Sequence, residues 1–559
     1  MLRAALLPRL RAALPTSFIP RRLPATRVPP RPTPVAASSA HPLSPPSTSP
    51  PTPTAPPPIP DVSPAPSTSH SLPLPGGDEH RLFHHRQHAA LYSSWRALPL
   101  SPHARLHPAD LISGSTAIFI GVGLETNWPA VLSALESPIF NRRKVVIVRD
   151  VFDRSEHRKT LSDYFAFVAD DAVAVLRSIV KPSNNHRRFV NEFVWVNGAY
   201  KPVRTDVDVI SYLHSAGFRV IPVDTTAQLA RMRDGLDPIP VQQSTNHVLA
   251  CAPTAFCFNE NAAADNHFMH DNPAELTLSD GGAALRRKVL SEFSALHAAL
   301  IDRVRGVGAH VHLFTHEDWH NTPDACFPNN TFSTHTNIET GSSCVLVLYP
   351  MKANTRRKER RLVQRLLTRG RYTHVYDLTR EEEADPPRFL EGTGSLVLDR
   401  INRIAYLALS QRSDFGLARA WAKVMDYNLV PFTATDRENR PIYHTNVMMS
   451  VGTRVAVVCL ECIADAKERQ MVVSSLRDSG HTVVDISYDQ VEHFCGNVLE
   501  LESFHADQVM VMSTGAHDAF TQNQREKLLS GVERLVHADI STIEKVGGGG
   551  VRCTIAELH

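Results

Sequence analysis

Apolar and polar positions settle into a regular order only from about residue 110 onward. Ser115-Thr-Ala-Ile-Phe-Ile-Gly-Val-Gly and Lys144-Val-Val-Ile-Val-Arg-Asp are apolar runs of strand length, and Trp128 to Leu135 between them has helical spacing. The apolar spacing of Leu161 to Val180 predicts a further helix. Phe193-Val-Trp-Val-Asn-Gly-Ala-Tyr predicts a hairpin around an Asn-Gly turn. A helix near Asp208 to Ala216 and a strand at Phe218-Arg-Val-Ile-Pro-Val follow. Beyond about residue 245 the alternation continues. Strands are expected at 247–251, 310–314, 344–348, 374–377, 395–398, 404–409, 446–450, 454–459, 482–486 and 507–511. Helices are expected at 282–305, 355–369, 415–425, 465–479 and 522–536. Two strands sometimes precede one helix, which predicts a repeated ββαβ unit rather than a doubly wound parallel sheet.

The first eighty residues differ in kind. Residues 1–60 hold seven arginines and no acid, and the first carboxylate is Asp61. The opening Met-Leu-Arg-Ala-Ala-Leu-Leu-Pro-Arg-Leu-Arg is amphipathic and arginine-rich, the composition of an organellar transit peptide. The proline, serine and threonine that follow cannot bury enough surface to fold. The expected organisation is a Pro/Arg-rich disordered tail over 1–80, an α/β segment without assigned chemistry over 81–244, and a third region over 245–559. A mitochondrial or other organellar location is expected, with the cytoplasm as the rival.

At 559 residues the chain exceeds one compact core, and its formal net charge of +2 offers no strong field for nucleic acid or an acidic membrane. Its longest apolar runs are far short of the roughly 20 residues of a membrane span. Eight cysteines are scattered without a disulfide framework. Cys459-Leu-Glu-Cys462 lacks the second pair a zinc site needs and is expected to pack. No metal or other cofactor is expected. A small-molecule partner is expected, with a homo-oligomer left open.

The chemistry concentrates at the C-terminal end. Gly547-Gly-Gly-Gly550 cannot be a regular helix or strand, because glycine loses too much backbone entropy there. Such a run fits where backbone must approach a ligand or adopt positive φ. Cys553 follows, and then a short apolar stretch able to close a sheet. A cysteine on such a rim, with a histidine elsewhere, is the layout of a thiolate nucleophile. Polar turns stand between the predicted elements: Pro323-Asp-Ala-Cys-Phe-Pro-Asn-Asn330, Glu391-Gly-Thr-Gly394-Ser, Ser410-Gln-Arg412-Ser413, Tyr443-His444-Thr-Asn446 and Cys495-Gly-Asn497.

Together with Thr254-Ala-Phe-Cys-Phe-Asn259 and Ala264-Asp-Asn-His-Phe268, this ordered set resembles the guanidino-group-modifying, or pentein, superfamily. It is most similar to arginine-deiminase-related proteins, citrulline utilisation hydrolases and amidinotransferase-family proteins. The resemblance covers about 245–559 and implies an α/β propeller of ββαβ repeats. It implies Cys553 as nucleophile, His444 as proton shuttle and Glu391 as the carboxylate orienting His444. It further implies Asp324, Asn330, Asn446 and Arg412 as substrate-binding residues, Arg412 for a substrate carboxylate. The implied activity is hydrolysis of a C–N bond in a guanidino or ureido compound through an S-linked intermediate. An amidinotransferase, or a catalytically lapsed binding protein, are the alternatives. Two positions depart from the arginine-deiminase pattern, since Asn330 and Asn446 stand where carboxylates would clasp a guanidinium. A neutral ureido or a substituted guanidino substrate is therefore expected. A neighbouring imidazolium is expected to acidify the Cys553 thiol.

Overall fold

A computed structural model describes residues 88–150, 160–182, 187–270, 282–316, 318–336, 343–360, 372 and 374–559. The expected tail over 1–80, and the later part of the helix expected at 355–369, lie outside them.

From residue 247 onward the sheets are small and share one connectivity. Each of five three-stranded sheets has a first strand antiparallel to the second and a third strand parallel to it. In the module Leu396–Asp399, Ile404–Ala408, Asn428–Phe432, the crossover is the helix Phe415–Met425. Asp414 caps that helix by accepting the Leu417 N–H at 2.7 Å, and Asp426 ends it in the left-handed region. Leu417, Ala418, Trp421, Ala422 and Met425 form its buried stripe. Trp421 is wholly buried, so its loss should cost roughly 3–5 kcal/mol.

One module is assembled from both ends of this region. His247–Ala252 pairs in parallel with His310–Thr315 across the helix Ala283–Ile301. Its antiparallel partner is Ala556–Glu557. The apolar run after Cys553 thus closes a sheet, as its composition suggests.

Residues 111–223 use the same connectivity twice. Leu111–Ser113, Ala117–Val122 and Lys144–Asp150 form one such unit, widened by the hairpin Arg188–Val196 and Ala199–Asp208. Asn197 and Gly198 both have positive φ at its turn, as an Asn-Gly hairpin requires. Phe165–Ala169, Ala172–Leu176 and Arg219–Val223 form the other. The tip of a hairpin from the region beyond residue 247, Phe504 and Ala506, packs into this core.

Three expected elements differ. Leu161 to Val180 holds two strands rather than one helix, turning at Asp170-Asp171. Ala172–Leu176 is buried on both faces, so its apolar run carries no period to distinguish strand from helix. The strand expected at 446–450 begins as the short helix Thr445–Met448, because Thr445 bridges two modules, donating to Ser395 O and accepting from Ala408 N. The helix expected over 522–536 stops at Leu529, and Arg534–Ala538 is a strand. Gly531 packs so closely on Val455 that a Cβ there would collide with it.

Candidate active site

Most of the singled-out residues sit at equivalent places in different modules, in a short turn or single helical turn leading into a first strand, whereas Arg412 follows the second strand Ile404–Ala408. Glu391 precedes Gly392–Ser395 and its strand, and His444 precedes Thr445–Met448 and its strand. Pro328–Asn330 leads into Phe332–Thr336, Asn497 into Leu499–Glu502, and Cys553, within Val551–Thr554, into Ala556–Glu557. Residues scattered over 230 positions thereby reach one cavity. Asp324, Asn330, Arg356, Arg412, His444 and Cys553 line it, with Gly547, Gly548 and Gly549.

The glycine run is required sterically. Gly548 has a φ of +65°. A Cβ at Gly547 or Gly549 would crowd the Phe327 ring, and one at Gly550 would crowd Asn497. Gly394 is equally constrained, since its Cβ would lie 2.7 Å from His444 Nδ1.

Glu391 Oε2 meets His444 Nε2 at 2.8 Å, with both side chains buried. Burial alone would raise the Glu391 pKa, but Arg412 and then His444 overcome it and hold the carboxyl well below its usual range. Burial lowers the His444 pKa, against the pull of Glu391. With Glu391 ionised, a neutral imidazole donates its Nε2–H to that carboxylate, which places the ring's lone pair on Nδ1.

The Cys553 sulfur receives two amide donors, Asn497 Nδ2 at 3.3 Å and Asn446 Nδ2 at 3.5 Å. Asn497 also accepts the Cys553 N–H at 3.4 Å and donates to Asn446 O at 2.8 Å. Burial nevertheless pushes the thiol up from its ordinary pKa, with the two amides only partly offsetting it. This corrects the expectation of an acidified thiol. His444 is held neutral and makes no hydrogen bond to the sulfur, so no resting imidazolium acidifies it.

Asp324 lines the cavity with one carboxylate oxygen unpaired. Its Oδ2 accepts from Asn259 Nδ2 at 2.7 Å, while its buried Oδ1 has no hydrogen-bond partner. Burial raises its pKa. The remaining expected substrate contacts are spent within the protein. Asn330 Oδ1 accepts from Arg356 at 2.8 Å, and its Nδ2 donates to Glu391 O at 3.4 Å. Asn446 serves the sulfur and lines a different cavity. Arg412 pairs with Asp265, donates to Ala262 O at 2.7 Å and lies 3.5 Å from Glu391. It holds Glu391 ionised, which leaves no free fork for a substrate carboxylate.

Asn497, Arg356 and Asp265 were not singled out as site residues from the sequence. Asn497 had a signal in its Cys-Gly-Asn turn. Gly496 has backbone of Val447 and Met448 against its missing Cβ, so the turn is pressed to the His444 segment.

A family model described as N,N dimethylarginine dimethylhydrolase, eukaryotic, matches residues 252–559. Among curated proteins, none matches. Among solved structures, the N-terminal domain of ArgZ, an arginine dihydrolase from the ornithine-ammonia cycle in Cyanobacteria, is 16% identical with a TM-score of 0.43. The match covers 56% of this chain and 97% of that one. Unliganded AgrE is 17% identical with a TM-score of 0.43, over 56% of this chain and 39% of that one. A dimethylarginine dimethylaminohydrolase adduct with S-methyl-L-thiocitrulline is 14% identical with a TM-score of 0.38, over 56% and 99%. With more than half its length matching that family model, this chain belongs to the eukaryotic N,N-dimethylarginine dimethylhydrolase family of guanidino-modifying enzymes.

Proposed function

We propose that this protein hydrolyses a C–N bond at the guanidinium carbon of an N-substituted, arginine-like compound, with Cys553 as nucleophile, His444 as proton shuttle and Glu391 as its positioning carboxylate. The observation that carries this reading is the single cavity holding Cys553, the His444–Glu391 pair's imidazole and the open oxygen of Asp324. Its charges support a cationic head group. Among the described residues, the linked carboxylates Asp265, Asp324, Glu359 and Glu391 meet the cations Lys352, Arg356 and Arg412 and a His444 that burial keeps neutral. The network is one cation short unless a proton sits on Glu359, which burial pushes up to about 7, or on Asp324, which burial also raises. A guanidinium supplies that charge to Asp324 through a charge-assisted hydrogen bond. Asn330 and Asn446 do not weaken this, since Asn330 is engaged by Arg356 and Asn446 by the Cys553 sulfur.

The chemistry follows from the resting protonation states. A bound guanidinium beside the thiol favours its thiolate, whose proton passes to His444 and whose sulfur Asn446 and Asn497 stabilise by donation. The sulfur adds to the guanidinium carbon. The carbon's bond to one nitrogen breaks, and that nitrogen leaves as an amine carrying a proton delivered by His444. Water then adds to the S-linked carbon and gives a proton back to His444. The C–S bond breaks, releasing a ureido product and regenerating Cys553.

We infer that the five modules close into a propeller around this cavity. The C-terminal strand completing the first sheet supports that reading.

The test is incubation with asymmetric dimethylarginine, arginine and citrulline, scoring amine, ammonia and ureido product. Dimethylamine release in stoichiometry with a ureido product supports the proposal, and an S-linked adduct should appear on the C-terminal peptide. Citrulline as the best substrate, or amidino transfer to an added amine in place of hydrolysis, would overturn it.

A further inference from the structure

Away from the cavity, the first strand pair of the catalytic region carries a second set of chemistry-bearing residues. His310 and His312 are two apart on the edge strand His310–Thr315, so both project from the same face. His247 is the direct register partner of His310 on the neighbouring parallel strand. The three rings therefore gather on one face of the sheet. Their centroids are 5.1 Å apart for His247–His310, 6.0 Å for His247–His312 and 4.9 Å for His310–His312. One ring nitrogen from each lies within 4.8 Å of the others. A fourth histidine stands behind them on the helix Val209–Ser215. The His214 ring is 5.9 Å from that of His247, and its buried Nδ1 has no hydrogen-bond partner.

We propose that His247, His310 and His312 bind one divalent transition-metal ion of the zinc class. Zinc–imidazole bonds of about 2.0–2.1 Å in a tetrahedral site place ligand nitrogens roughly 3.4 Å apart. Small χ rotations on one rigid sheet face bring nitrogens within 4.8 Å to that spacing. Three neutral nitrogen donors select an imidazole-seeking cation over magnesium or calcium, which require oxygen. Half-buried His310 and His312 give the ion an entry path, while buried His247 anchors it. The fourth coordination position is open to water or to His214. The ion would brace the module that the C-terminal strand completes, three residues after Cys553. It takes no part in the hydrolysis. Sequence motifs gave no warning, because the His-x-His pair lies in an ordinary strand and its third member is 63 residues earlier.

The experiment uses the full chain, stripped with a chelator and titrated with Zn²⁺ or Co²⁺ alone. One ion per chain is expected, with the visible absorption of tetrahedral Co²⁺ and a metal-dependent rise in Tm. The double substitution His310→Ala, His312→Ala should weaken binding by more than the about ten- to hundredfold cost of losing an outer partner. It should also abolish the Tm rise. His310→Asn, His312→Gln gives a second variant of similar shape, and the metal-free Tm of each checks that it folds. Cys553→Ser should still bind the ion. Absence of stoichiometric binding by the wild-type chain would overturn the proposal. So would binding lost in Cys553→Ser but kept in the double variant, which places the ion at the active-site thiol.

Discussion

The two ββαβ units of residues 111–223 and the five beyond residue 247 share strand order and handling of the chain, and the second set brings a thiol, an imidazole and carboxylates to one cavity. The difference lies in the few residues before each first strand. In the catalytic region those residues turn inward from several modules and meet at Cys553, His444 and Glu391. In the earlier region the equivalent places are the single turns Pro108–Asp110 and Leu161–Asp163. There Asp110 Oδ1 accepts the Leu161 N–H at 2.7 Å, so the two units are tied directly to each other. Gly121 presses on Asp110, where a Cβ would collide with its carboxylate. Repeated connectivity supplies positions at which a site can be built, and the side chains there decide whether one exists.

Four experiments test that contrast. The largest effect is expected from Cys553→Ser, which should lower kcat by about four orders of magnitude or more, on the scale of losing a covalent nucleophile. Hydrogen–deuterium exchange should show an unchanged fold in both regions. Substantial residual turnover would remove the catalytic region's distinction.

Glu391→Gln comes next. The His444 pair loses its charge and Arg412 loses one of its two carboxylate neighbours. A fall in kcat of roughly 10²–10⁴ is expected. A change confined to KM would show that Glu391 acts on binding instead.

Asn497→Leu removes one donor to the sulfur. Hydrogen bonds to charged groups are worth about 1.5–3 kcal/mol, so thiolate formation should drop at least about tenfold at fixed pH. Iodoacetamide labelling of Cys553 should already be slow at neutral pH in the wild-type chain and rise toward alkaline pH, because burial raises its pKa. The variant's profile should move further alkaline. Fast wild-type labelling below neutral pH would refute the buried-thiol reading.

The smallest effect belongs to the earlier region. Burial pushes Asp110 up to about 6, partly opposed by hydrogen bonds from Thr126 and Leu161. A carboxyl raised on folding binds its proton more tightly in the native state. Its stabilising contribution is therefore full below the unfolded value of 3.8 and is lost as pH rises through 6. Asp110→Asn should leave kcat/KM unchanged and gain stability relative to wild type between pH 4.5 and 7.5, by about 1–3 kcal/mol. Denaturant titrations at the two pH values measure this. A pH-independent difference, or a loss of turnover, would break the contrast.

Residue patterns carried much of the architecture because local physics set it. Phe415–Met425 shows its apolar stripe and Asp414 cap in the letters themselves, and Asn197-Gly198 demands a hairpin turn. Leu161 to Val180 was misread for the converse reason, since burial on both faces erases the period that distinguishes strand from helix. At the site, the glycine run, Cys553, His444 and Glu391 were legible as residue types that chemistry or sterics restrict, in an order shared with a family. The uses of Asn330, Asn446 and Arg412 were not.

The sequence by itself determined which groups could react and which turns would present them. Only the tertiary structure decided their occupations. It committed Asn330 to Arg356, Arg412 to Asp265 and Glu391, and two amides to the sulfur, and it left Asp324 open. Hydrogen-bonding capacity belongs to a residue, but its partner and its dielectric surroundings belong to the packing that brings distant segments together.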